Sequence, residues 1–320
     1  MDASVVWEAA LNANRPSGEL AMSAYLDAPT PVPTGVRKLD QLLGGGMTRG
    51  VTVIGGPSSA GKSVLACQCA AMMADRGIKV VYASYEMSWE VVQLRCASSW
   101  SCHHPEVDTI SWSRIVRGEE RRSRPEYAGK TRSELSRYLI GSAADPVTRT
   151  LTAWDEGPGK NLAVFTDSSP IEELIENMEL MSDLKPVLIV DYIQIVPTKS
   201  DADEKEYTRV TEVINQLQAY AMSEKGGNVL AISSTRNLTA ADYKDGPSMS
   251  WFRGSGYIGY AAEQAVMLVS DRVRDADGNM TISRNANGSV NGRLTVVKNK
   301  SGASDVSITT VMHGSSNLIT

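Results

Sequence analysis

Lys62 and Ser63 close the stretch Gly56-Pro-Ser-Ser-Ala-Gly-Lys-Ser, in which two glycines five positions apart lead into a lysine and a hydroxyl. Such a loop turns its backbone N–H groups inward around phosphate oxygens, and the helix that follows adds the partial positive charge of its N-terminus. Lys62 would reach the β- and γ-phosphates, and Ser63 would hold Mg²⁺. The predicted nucleotide-binding residues are Gly56, Pro57, Ser58, Ser59, Ala60, Gly61, Lys62, Ser63 and Val64, with ATP and Mg²⁺ as the ligands.

A loop that grips phosphate does not by itself cleave it. Hydrolysis needs a second acid near the metal and a base for the attacking water. Asp191 ends the apolar run PVLIV, where an acid beside the metal's water shell belongs, so Ser63 and Asp191 are the predicted metal pair. Glu86 closes the strand that follows the phosphate loop in chain order, and from the C-terminal edge of that strand it could polarise water. Glu86 and Lys62 are therefore candidate catalytic residues.

These groups meet only if several strands deliver them to one edge. Strands are expected at Gly50–Gly56, Ile78–Glu86, Asn161–Asp167, Lys185–Val196, Asn228–Thr235 and Ala265–Asp271. Helical stretches fall between them: Lys62 to about Arg76, MSWEVVQLRCASS, PIEELIENMELM and YTRVTEVINQLQAYAMSEK. Short apolar runs alternating with helices predict an α/β fold with a mostly parallel central sheet covered on both faces. RLTVVKNKSGASDVSITTVMHG then reads as a late β-hairpin around a Ser-Gly turn.

The 320 residues carry 42% hydrophobic and 22% charged side chains, with no uninterrupted apolar run of membrane length and no basic leader. A cytoplasmic protein without membrane association is expected. A net charge of −5 argues against a surface coated in basic residues for duplex DNA, yet permits a local basic channel. Cys67, Cys69, Cys96 and Cys102 form no C-x-x-C pair and are expected as reduced thiols. Cys102-His-His104 lacks further ligands nearby, because the remaining histidine is His313, so no zinc framework is expected. Residues 118–154 are basic in their first half (Arg121, Arg122, Arg124, Lys130, Arg132) and read as a solvated helical excursion. The organisation expected is a short helix from Ser4 to Asn14 with a Pro-rich connector over residues 1–33, then one domain over 34–320.

Six segments together resemble the C-terminal motor domain of DnaB-type replicative helicases, a RecA-like P-loop ATPase. TGVRKLDQLLGGGMTRGVTVIGGPSSAGKS resembles that domain's entry and phosphate loop, and YASYEMSWEVVQLR the strand whose glutamate, here Glu86, is the family's catalytic base. LIVDYIQIV is similar to the aspartate motif, including Gln194; NVLAISSTRN to the strand leading into a DNA-facing loop; and FRGSGYIGYAAEQAVML to the segment after it. VVKNKSG resembles the hairpin that sends basic side chains into a neighbouring subunit's site, which implies catalytic roles for Lys298 and Lys300.

The resemblance implies a homo-oligomer, a hexameric ring, that hydrolyses ATP between subunits and moves 5′ to 3′ on single-stranded DNA. A replication loader or primase would be a further partner. Arg253 and Gly256 fall on positions that touch the DNA backbone, and Gly254 between them replaces an acidic residue of the family. Ser234 stands where the family senses the γ-phosphate with a glutamine, and Lys300 stands where it has an arginine. The family's helical N-terminal domain has no counterpart ahead of Thr34 in this sequence, so contact with primase is not expected to follow the family pattern. Two other classes share most of this signature. One is a RecA-like ATPase without strand separation, either a recombination mediator resembling RadA in its KNKSG turn or a KaiC-like regulator. The other is a nucleotide-dependent scaffold.

Overall fold

The computed structural model describes residues 30–119, 145–200, 206–274 and 280–320, with isolated residues outside those ranges. The chain divides into two compact units, Met1–Thr30 and Pro31–Thr320. In the first, Ser4, Val5, Trp7 and Glu8 are helical, and Val5 and Trp7 are exposed. The remainder of the expected helix to Asn14, like Arg121, Arg122, Arg124 and Arg132 of the basic excursion, lies outside the described residues.

The second unit opens with α1 (Arg37–Leu42) and β1 (Val51–Gly56), followed by α2 (Lys62–Asp75), β2 (Val80–Ser84), α3 (Trp89–Ser101) and α4 (Trp112–Val116). Then come α5 (Pro146–Glu156), β3 (Leu162–Phe165), α6 (Ile171–Leu180), β4 (Val187–Asp191), α7 (Glu206–Met222) and β5 (Val229–Ser234). The chain finishes through α8 (Ala240–Asp245), α9 (Ser255–Ala261), β6 (Ala262–Ser270), β7 (Arg272–Arg274), β8 (Met280–Ile282), β9 (Val290–Asn299), β10 (Val306–His313) and β11 (Leu318–Ile319).

Nine strands form one sheet in the order β11-β10-β9-β6-β1-β5-β4-β2-β3, and β7 with β8 forms a separate ribbon. The pairings from β3 through β6 are parallel, and β9, β10 and β11 extend the sheet antiparallel. This is the expected mostly parallel α/β core with its C-terminal hairpin.

Alternation along the strands divides the core in two. Ile54, Tyr82, Ile189, Leu230 and Ile232 face α2 and α3, while Val53, Val81, Leu188, Val190 and Ala231 face α6, α7 and α9. Both faces are dry, so these strands read as unbroken apolar runs. Helix α2 is buried continuously from Val64 to Ala74. Its four alanines and two cysteines let it lie close against the sheet. Among the described residues no helix is long and apolar enough to cross a membrane, and the four cysteines are free thiols.

Register sets the geometry of the site. Gly56 at the end of β1 lies beside Ser234 at the end of β5, and Ser84 at the end of β2 lies beside Asp191 at the end of β4. Four parallel strands therefore finish at a common edge, where ligands of open α/β sheets bind. One expectation needs correcting. The strand foreseen over Lys185–Val196 stops at Asp191, and Ile193–Ile195 forms a 3₁₀ turn. Beyond Asp191 the chain has run off the end of its partner strands, so the apolar alternation there serves packing on the helical layer.

Candidate nucleotide and nucleic-acid site

Between β1 and α2 the phosphate loop exposes Ser58 and Ser59, with Gly61 half-buried and Pro57 and Ala60 buried. Gly61 has φ +98, and a Cβ there would sit 2.3 Å from Met312 Sδ. A Cβ on Gly56 would come within 2.4 Å of the Leu268 carbonyl oxygen. Gly56 is thus demanded by close backbone approach and Gly61 by its left-handed φ, which a residue with a Cβ rarely adopts.

Lys62 Nζ turns back to donate to the carbonyls of Gly56 at 2.9 Å and Pro57 at 3.0 Å. Burial pushes its pKa down, and the carboxylates of Asp191 and Glu86 push it back up. Asp191 is 1% exposed. Burial raises its pKa above the ordinary carboxylate value, and hydrogen bonds from Tyr82 and Ser63 oppose that rise. The Ser63 hydroxyl and Asp191 carboxylate thus stand together as hard oxygen donors, the donor set that suits Mg²⁺. Glu86 is exposed, two residues beyond the end of β2, on the wall of the same cavity.

That cavity has a volume of about 920 Å³, more than a triphosphate tail requires, and reaches from the phosphate loop to Ser234, Asn237 and Arg253. Its far wall holds residues that sequence reasoning missed: Arg95, Trp112, Met312 and Gly314. The Arg95 guanidinium stacks 4.1 Å from the Trp112 ring centroid, and Trp112 Nε1 donates to the Gly314 carbonyl at 2.8 Å. This flat cationic surface is suited to a heterocyclic base. Trp112 and Gly314 lie 202 positions apart in the chain, so no local signal could have paired them.

Ser234 lines the cavity, and its Oγ is buried without a hydrogen-bond partner among the described residues. Its backbone is held instead. Gln194, 3% exposed, accepts from Ser234 N at 3.0 Å and donates to Ser233 Oγ at 2.8 Å. The Ser234 carbonyl then accepts from Arg253 N at 3.2 Å. Hydrogen bonds thus run from the turn after Asp191 to the segment expected to face DNA.

Arg253 is 55% exposed and forms an ion pair with Glu206 at the start of α7. Gly254 begins α9 at φ +78, with Val210 Cγ1 3.2 Å from the position a Cβ would take. Gly256 lies beside the Tyr207 hydroxyl. These positions are brought together against α7.

Lys298 and Lys300 stand on a different side. Lys298 Nζ donates to the Gly259 carbonyl, and Lys300 Nζ lies 2.5 Å from Glu263 Oε1. Neither lines the cavity of the phosphate loop. The geometry brings Lys62, Ser63, Glu86, Asp191, Ser234 and Arg253 to one cavity and leaves the two hairpin lysines outside it.

A RecA-like ATPase core is the class this sheet order and phosphate site define. The sequence profile of the DnaB-like helicase C-terminal domain matches residues 31–126 and 160–314, and the chain belongs to that family. Among solved structures, one ATPase domain superposes with a TM-score of 0.70 at 16% identity, over 96% of this chain and 99% of that one. A DnaB-like replicative helicase, studied for its interactions with primase, superposes with a TM-score of 0.68 at 16% identity, over 96% of this chain and 67% of that one. At such identity the likeness establishes the fold. The DNA repair protein RadA of Brucella abortus (strain 2308) is 43% identical over 70 residues, 22% of this chain. RadA of Mycolicibacterium smegmatis (strain ATCC 700084 / mc(2)155) is 41% identical over 76 residues, 23% of this chain. The matched stretch spans 15% and 16% of those two proteins.

Proposed function

We propose that this protein is an ATP-driven motor that hydrolyses ATP where two copies meet, in a hexameric ring, and moves along single-stranded DNA, 5′ to 3′. The observation that carries the reading is the convergence of Lys62, Ser63, Glu86 and Asp191 on a cavity that also reaches Arg253. Mg²⁺, held beside Ser63 and Asp191, would offset charge on the β- and γ-phosphates. Lys62 gives up its two carbonyl partners for phosphate oxygens. Its partial burial leaves the ammonium poorly solvated and so strongly attracted to an incoming polyanion. Glu86 accepts a proton from the attacking water. Gln194 holds the end of β5 at a fixed distance from the Asp191 turn, and Arg253 supplies a cation to the strand's phosphates.

Lys298 and Lys300, outside their own subunit's cavity, are available to a neighbour. Family membership supports the motor and oligomer, and the open cavity supports a site completed by a second copy. A loader or primase is a further partner in the same reading.

ATP hydrolysis with and without single-stranded DNA, measured beside the mass in solution, tests it. A DNA-stimulated hexamer whose Glu86→Gln variant binds ATP but turns over about 10²–10⁴-fold more slowly is the expected result. Full-rate hydrolysis by a lone protomer overturns it. A DNA-indifferent oligomer favours a regulatory ATPase, a silent ATP binder favours a scaffold, and a forked duplex separates unwinding from translocation alone.

A further inference from the structure

Tyr207 and Tyr257 are 54% and 41% exposed, yet their rings meet edge to face, with 5.9 Å between centroids and 73° between planes. One stands in the first turn of α7 and the other in the first turn of α9, so the pair spans the joint between the two helices. The ground around it is clear of bulky side chains. Gly254 and Gly256 precede Tyr257, and a Cβ on Gly256 would meet only the Tyr207 hydroxyl among the described residues, 3.7 Å away. In an edge-to-face pair the contact itself covers at most one ring face, so a flat ligand can still lie on either ring.

The neighbouring groups say what kind of flat ligand this is. Glu206 directly precedes Tyr207, and its partner Arg253 lies one turn of chain ahead of Tyr257. Ion pair and ring pair therefore form one patch, whose Arg253 also lines the cavity of the phosphate loop. The Arg253 and Glu206 side chains are 55% and 34% exposed. A pair this open is weak, and a phosphate can take the place of the carboxylate. Because Glu206 must first be displaced, Arg253 alone is a poor grip for a polyanion. Aromatic faces beside a backbone-binding cation supply what is missing, since every base has a π-face and stacking is sequence-tolerant. A protein partner fits the patch less well: glycines and an ion pair surround the rings, whereas the buried centre of a protein interface is depleted of charge.

We propose that Tyr207 and Tyr257 form a stacking platform for the bases of single-stranded DNA, beside the backbone contact made by Arg253. This rests on the reading that the chain takes single-stranded DNA. It adds a hold on the bases that neither selects sequence nor fades with salt.

The test measures binding of the full chain, with Mg²⁺ and a non-hydrolysable ATP analogue, to a fluorescent oligothymidylate across a range of salt, and to a strand of the same length that is abasic throughout. Tyr207→Ala and Tyr257→Ala should each weaken oligothymidylate binding by about five- to a hundredfold. The slope of log affinity against log salt should stay as it is, whereas Arg253→Ala should reduce that slope by about 0.7. Tyr207→Phe and Tyr257→Phe keep the ring and should stay within about twofold of the unaltered chain. On the abasic strand the alanine variants should match the unaltered chain. Both rings are open to solvent and the two positions report independently, with a thermal melt to check folding. A phenylalanine variant as weak as its alanine counterpart, an equal loss on the abasic strand, or a slope that falls when a ring is removed overturns the proposal. So does a loss that tracks a change of mass in solution, which would assign the rings to a contact with a second copy. If the unaltered chain binds no oligonucleotide, the strand-bound reading itself fails, an outcome distinct from variants that bind as well as the unaltered chain, which remove the platform alone.

Discussion

The Tyr82 hydroxyl donates to Asp191 Oδ2 at 2.7 Å, and both side chains are sealed from solvent. Tyr82 Oη in turn lies 3.7 Å from Cys67 Sγ on α2, so Asp191, the proposed metal-side acid, is anchored to the helix that carries Lys62 and Ser63. Tyr82→Phe keeps the ring and strips one bond from a buried carboxylate. A loss of about 1.5–3 kcal/mol in stability is expected. Burial already raises the Asp191 pKa and the Tyr82 bond opposes that rise, so its removal raises the pKa further. The ionised acid is then lost at a higher pH, and the acid limb of the hydrolysis profile should move upward. A pH–rate profile beside a thermal melt checks both; an acid limb that stays in place would show that Tyr82 only packs.

Gln194 fixes the end of β5 through Ser234 N and Ser233 Oγ, while the Ser234 carbonyl receives the Arg253 N–H. Gln194→Ala leaves the half-buried Ser234 backbone N–H without its acceptor, at a cost of about 1 kcal/mol. Gln194 touches neither the phosphate loop nor the expected strand. Basal hydrolysis should therefore change by no more than about threefold, while stimulation by single-stranded DNA is largely lost. Hydrolysis measured across a DNA titration distinguishes this from a plain folding defect, which lowers both together.

Much of this site is legible along the chain because the chemistry sits at strand ends. Gly56, Glu86, Asp191 and Ser234 each follow an apolar run, and a run buried on both faces ends where the sheet ends. What escapes is whatever depends on partners remote in sequence. The β6 strand begins at Ala262, three residues before its expected start, because the Gln264 amide is satisfied in the core by Thr48 N at 3.1 Å and Thr52 Oγ1 at 3.0 Å. Gln68 similarly holds the Ile319 backbone at 2.8 and 3.1 Å, which creates the two-residue strand β11 out of a sequence too short to announce one. The ribbon of β7 and β8 is missed for the same reason: three residues a side carry no periodicity.

Lys300 and Glu263 form an ion pair whose side chains are 43% and 19% exposed. A pair this open contributes at most about 1 kcal/mol, so a phosphate anion on a neighbouring subunit can displace the carboxylate. Lys300→Arg should raise turnover, because the fork can engage two γ-phosphate oxygens where an ammonium offers a point charge. Glu263→Gln should raise it too, by freeing the lysine, with the gain confined to concentrations at which copies associate. Specific activity against protein concentration separates the cases. A Lys300→Ala variant with unaltered concentration-dependent hydrolysis removes the hairpin from the reaction.

Asp242 holds the loop after β5 with a single carboxylate. It accepts from Thr239 N at 2.7 Å in a capping box at the start of α8 and grips the Arg236 guanidinium with both oxygens, at 3.0 and 2.6 Å. The Arg236 hydrogen bonds, followed by those from Thr239, hold its pKa well below the ordinary carboxylate value. A carboxylate depressed in the folded state binds its proton first in the unfolded chain, so its stabilisation is complete above the unfolded value and fades as pH falls through the folded one. Asp242→Asn keeps the shape and removes that dependence. The unaltered protein should therefore be the more stable of the two at neutral pH by a constant margin, which should shrink progressively once the pH falls below the ordinary aspartate value near 3.8. Because Arg236 is released with the cap, the same substitution should loosen the segment from Arg236 to Arg253 and weaken single-stranded DNA binding at neutral pH. Paired denaturation curves at stepped pH, with DNA affinity measured at the neutral end, decide it: a margin that stays constant through the acid range would mean that the charge on Asp242 contributes nothing to the folded state.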